Sequence, residues 1–180
     1  MPDPEFTLLG DAIWLDFVNT ARPCAGNEAD RLRDAAAYHR WTKALKLRSD
    51  ASERPFSQVL HARGCLTELA TALSERRHPP ATTIAVINDI LQTAPGTQQL
   101  TRVGGEWRLH FSLAILPDAL GAIARSAADT LSDPLVYVRE CAGMACTRFF
   151  IDDSPTQSRS GCAEECSSGA WVERRRGVLR

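Results

Sequence analysis

The sequence predicts an α+β fold in two parts. Residues 1–133 form a mostly helical N-terminal domain with one β-hairpin, and residues 134–180 form a small cysteine-rich element. Three observations carry this. Helical apolar repeats dominate the first two thirds of the chain. One Gly-Gly dipeptide lies between two alternating segments, a hairpin signal. Four of the six cysteines fall in two close pairs after residue 140.

The elements follow in order. After Pro2 and Pro4 comes the apolar segment "AIWLDFVNT", then a loop, "ARPCAGNEAD", marked by Pro23 and Gly26. Asp30 suits the N-cap of a helix over residues 31–47, with Ala35, Tyr38, Trp41, Ala44 and Leu45 as its buried face. Ser52 or Pro55 starts the next helix, whose repeat is Val59, Leu60, Leu66, Leu69, Ala70 and Leu73; Gly64 weakens it without ending it. "HPPATT" is a break, and "IAVINDILQT" is a shorter helix stopped by Pro95 and Gly96. The hairpin is "QQLTRVGGEWRLHFS", turning at Gly104-Gly105. "LPDALGAIARSAADTLSD" is a helix with Pro117 near its first turn. "PLVYVREC" reads as extended chain leading into the cysteines.

Those cysteines have the pattern Cys141-x4-Cys146, fifteen residues, Cys162-x3-Cys166. Two short pairs joined by a spacer of this length suit a tetrahedral four-thiolate zinc site. Cys162 and Cys166 would share a helix face, and "TRFFIDD" between the pairs reads as a strand. Knuckle, strand, turn and helix follow the logic of a treble-clef-like zinc finger. The alternatives are two disulfides or four ordinary thiols. The segment has few apolar residues of its own, so a bound ion would supply folding energy. Such a site is coordinatively closed, hence structural. Cys24 and Cys65 are isolated in sequence and read as small buried apolar residues.

Composition narrows the function. The 180 residues carry a formal net charge of -1, so no global field draws the chain to nucleic acid. No apolar run is long enough to span a bilayer, and no secretory signal is visible, which makes the cytoplasm the expected compartment. Reducing conditions there favour metal ligation over disulfides. The basic residues are nearly all arginine. Arg174, Arg175 and Arg176 in the last segment, with Arg148 and Arg159, are the candidate phosphate contacts. Over residues 139–180, seven arginines face six acidic residues, a net of +1, so the patch is modest. The plain alternative is a solvated helix end, with cations near its C-terminus. No G-x-S-x-G, P-loop or G-x-G-x-x-G occurs and the histidines are scattered, so no enzyme is expected. Asn19, Thr20, Arg22 and Trp41 are the candidate lining of a small-molecule pocket; the competing reading is that Asn19 and Thr20 bond backbone where the apolar segment ends.

Two stretches resemble a known family. "AIWLDFVNT" followed by "DRLRDAAAYHRWTKAL", and "YVRECAGMACTRFFIDDSPTQSRSGCAEEC", are similar to the two signatures of the CGNR zinc-finger family, in which an N-terminal ABATE domain precedes a treble-clef-like finger. The resemblance runs the length of the chain. It implies zinc on Cys141, Cys146, Cys162 and Cys166, DNA as partner, a sensing N-terminal domain and a stress-linked role in transcription. The sequence departs from the family where Cys166 is followed by Ser167-Ser168-Gly169 instead of Gly-Asn-Arg, and where Gly161 replaces the usual Trp. The expected function is therefore a DNA-binding regulator. The alternative is a protein-interaction module whose finger has lost DNA binding, with Trp171 at its contact.

Overall fold

A computed structural model describes residues 6, 8–24, 30–48, 54–93, 96–103, 106–113 and 118–167; the strands at 96–103 and 106–113 are described by their backbone alone, and nothing is described of the side chains of residues 165 and 167. The order is α1 (Ile13–Asn19), α2 (Ala35–Ala44), α3 (Phe56–Ser74), α4 (Ala81–Gln92), β1 (Gly96–Val103), β2 (Glu106–Leu113), α5 (Ala119–Ser132), β3 (Val138–Glu140), β4 (Phe149–Ile151) and α6 (Glu164–Ser167). The fold is α+β, as the pattern predicts.

The short helix α1 is the centre. Trp14 through Asn19 are all buried. The two polar side chains, Asp16 and Asn19, are buried and hydrogen-bonded to the Leu9 N–H and the Phe149 backbone. Around Phe17, the rings of Trp41 and Tyr38 lie with centroids 5.5 and 6.2 Å away. Val59, Leu66 and Leu69 of α3, Ile87 of α4 and Leu120 and Ile123 of α5 close the same core. Trp14 donates its indole N–H to the Thr130 hydroxyl at 2.8 Å, fixing α1 against α5.

Two helix starts carry side-chain caps. The Asp34 carboxylate, not that of Asp30, accepts the Ala37 N–H at 2.7 Å and caps α2. Asp30 is engaged elsewhere: it accepts the Leu32 N–H and forms a two-pronged pair with Arg63. Asp118 caps α5 through the Gly121 N–H at 2.7 Å. On α2, Tyr38 and Trp41 are buried as expected, with Ala37 and Thr42 beside them. Leu60, placed by its spacing on the buried face of α3, is 38% exposed.

Strands β1 and β2 pair antiparallel with Val103 opposite Glu106; the Gly104-Gly105 turn lies outside the described residues, as does Pro117. β3 and β4 form a second antiparallel pair, Val138 opposite Ile151. This small ribbon is not a separate appendage. Val138 and Phe149 belong to the same apolar core as α1 and α3, which bridges the division expected near residue 133.

Candidate metal centre

The β3–β4 ribbon positions the first cysteine pair. After the last ladder pair, Glu140 opposite Phe149, the Cys141 N–H still donates to the Arg148 carbonyl at 2.8 Å. The chain between them turns as a knuckle, with the Cys146 N–H on the Gly143 carbonyl at 2.9 Å. The knuckle is tight at Gly143, where a Cβ would stand 3.2 Å from the Cys166 Cβ and 3.4 Å from the Cys141 Sγ. The second pair does not share one helix turn. Cys162 precedes α6, while Cys166 lies within it. The longer helix expected to follow lies outside the described residues.

The sulfurs of Cys24, Cys146, Cys162 and Cys166 all lie within 4.8 Å of one another. Cys146 to Cys162 is 3.6 Å, Cys162 to Cys166 is 3.7 Å and Cys24 to Cys166 is 3.9 Å. A tetrahedral ion with metal–sulfur bonds of about 2.3 Å requires sulfurs roughly 3.8 Å apart. The cluster fits that requirement. It does not fit disulfides, whose sulfurs are bonded at about 2.05 Å, and all six cysteines are free thiols.

Cys24 is the residue that sequence reasoning missed. It is not a solitary apolar filler: its backbone forms an antiparallel bridge with Cys146. Cys141, expected as a ligand, is buried beside the cluster, and its sulfur accepts the N–H groups of Gly143 and Cys162 at 3.4 and 3.3 Å. Without an ion the thiols share protons unevenly. S–H donation from Cys162 holds the Cys146 thiol far below its ordinary range, and the same contact with burial pushes Cys162 up. Burial and the charge on Cys146 push Cys166 up. Several thiolates here therefore require a cation among them.

The other candidate residues serve this junction. Asn19 donates its amide to the Phe149 carbonyl at 2.8 Å and accepts the Phe149 N–H at 2.9 Å, pairing with β4 as a neighbouring strand would. Thr20 donates to the Phe17 carbonyl and accepts from Arg63. Arg22 donates to the Thr147 carbonyl, pairs with Glu140 at 2.7 Å and covers the Phe149 ring. Trp41 is fully buried in the core. Asn19, Thr20 and Arg22 thus hold the junction between α1, α3 and the ribbon. An open cleft of about 600 Å³ lies elsewhere, between Asp11 and Ile13, α5 and Ile151.

The arginines divide likewise. Arg148 is 5% exposed, and its Nε has no hydrogen-bond partner among the described residues; burial takes it out of reach of an external phosphate. Arg159 braces the second cysteine loop through the carbonyls of Gly161 and Cys162, over the Phe150 ring. Arg174, Arg175 and Arg176 lie outside the described residues. No helix among the described residues is long and apolar enough to cross a membrane.

The comparison with curated proteins finds no match. The model of the ABATE family, described as "Putative stress-induced transcription regulator", matches residues 11–134, more than two thirds of the chain. That span holds α1 through α5 and Cys24, and it stops just before the ribbon that carries the other clustered thiols. With this match and the cysteine cluster beyond it, the chain belongs to the ABATE family.

Proposed function

We propose that this protein is a transcription regulator that binds DNA through its C-terminal element, folded around one zinc ion. It is a binding protein and not an enzyme, and it works in the reducing cytoplasm, where thiols stay available to metal. The observation that carries the reading is the sulfur cluster beside a domain of a regulator family. Zinc is the ion favoured by a closed set of thiolates, and it would hold the element's shape without taking part in chemistry. The N-terminal domain would sense a small effector or mediate assembly.

The test is DNA binding by the full chain at several salt concentrations. Affinity should fall steeply with salt, and Arg174→Ala or Arg175→Ala should weaken binding across sequences and lower the salt slope by about one each. Flat salt dependence sinks the DNA reading.

One observation favours a second reading, a protein-interaction module. Arg148 is buried and Arg159 is engaged internally, so the element presents less positive charge than its sequence suggests. In that case Trp171→Ala, not the arginine changes, would abolish capture of the partner.

A further inference from the structure

The centre has one sulfur more than a tetrahedral ion uses. Cys24, Cys146, Cys162 and Cys166 form the close group. Cys141 is buried against it, its sulfur accepting the Cys162 N–H at 3.3 Å, while the Cys24 sulfur lies 3.9 Å from that of Cys166. Cys24 and Cys141 come from different parts of the chain, one from the loop after α1 and one from the end of β3.

Both are held in place by backbone. Cys24 is bridged to Cys146, and the Thr147 N–H donates to the Pro23 carbonyl at 3.0 Å. Arg22 locks the same loop to Thr147 and Glu140. Cys141 is anchored by its N–H on Arg148, and its sulfur already receives two backbone N–H groups, donors that favour a thiolate.

We propose that Cys24 and Cys141 are alternative fourth ligands of one metal centre whose constant ligands are Cys146, Cys162 and Cys166. This rests on the cysteine cluster being a metal centre. Exchange breaks one sulfur–metal bond and makes another. The departing thiolate takes up a proton as the incoming thiol releases one, and nothing is oxidised. With Cys24 bound, the ion ties the N-terminal domain to the ribbon. With Cys141 bound, the ion sits wholly within residues 141–166 and the loop thiol is released.

The experiment titrates the metal-free full chain with cobalt(II) and counts sulfur ligands by the visible spectrum and X-ray absorption. Cys24→Ser and Cys141→Ser should each keep one ion with four sulfurs and lose less than about tenfold in affinity, while the double variant should fall to three sulfurs and lose at least about a hundredfold. Alanine versions guard against a serine oxygen acting as ligand, and Cys65→Ser is the control. Loss of the fourth sulfur in either single variant, or failure of that variant to fold with metal, overturns the exchange while leaving the metal centre standing. A wild-type chain that takes up no stoichiometric ion overturns both.

Discussion

Asp16 shows what a single buried group does in this molecule. It is 4% exposed within the apolar α1, and burial pushes its carboxyl up to about 6, against the N–H groups of Leu9 and Gly10 that favour the charge. The sign follows from linkage. An acid whose folded pKa is raised favours the folded state when protonated, so Asp16's contribution declines as pH rises from its ordinary 3.8 to about 6. The full step is worth about 3 kcal/mol. A carboxyl-carbon NMR titration should find the Asp16 midpoint near 6, and Asp16→Asn should be more stable than wild type at neutral pH. A midpoint near the ordinary value would show that solvent reaches this carboxyl. The sequence marks Asp16 as a polar residue in an apolar run, but its burial depends on α3, α5 and the ribbon closing around it. Cys24 was hidden for a related reason. Spacing rules recognise ligand pairs a few residues apart, while Cys24 reaches a sulfur at position 166. Its signal is only a fifth cysteine within reach of a four-cysteine site.

At the scale of the element, side-chain caps fix the starts of α2 and α5. Asp34 caps α2 from an exposed position, so Asp34→Ala should cost about 1 kcal/mol in denaturant unfolding. Asp118 caps α5 and also holds Arg54 at 2.9 Å while only 8% exposed. Its removal also takes the carboxylate partner from Arg54, which keeps the Thr93 hydroxyl at 3.1 Å, and Asp118→Ala should cost about 2 kcal/mol. Equal losses would mean that the Arg54 pair adds nothing. The helices α3, α4 and α5 were legible because each repeats its period over ten residues or more, and the hairpin because a Gly-Gly pair separates two eight-residue strands. The start of α2 was not. Asp30 and Asp34 are equally good caps by type, and the choice is made by Arg63, a residue of another helix. The seven-residue α1 is short and carries only two polar residues, Asp16 and Asn19, so local pattern could not separate helix from strand.

For the whole molecule, the join between the ABATE domain and the ribbon governs how metal affects stability. Asn19 pairs with the Phe149 backbone, Arg22 covers the Phe149 ring, and Val138 and Phe149 complete the core around α1. Burial of side chains of this size is worth about 1.5–3 kcal/mol each. The change from helical repeats to paired cysteines near residue 133 predicts two parts, yet Val138 and Phe149 sit in the core around α1, while Phe150 packs with the cysteines. An ion that orders the ribbon therefore stabilises α1 and α3 as well, since Phe149 can reach the core only while β4 is in place. Removal of the metal should lower the melting temperature of the chain in one transition, and hydrogen exchange of the α1 and α3 amides should accelerate with that of β3 and β4. Asn19→Ala should weaken this coupling, because two buried hydrogen bonds hold the strand to the helix. If chelation instead exposed only the ribbon amides and left those of α1 protected, the two parts would fold independently and the shared core would contribute little to either.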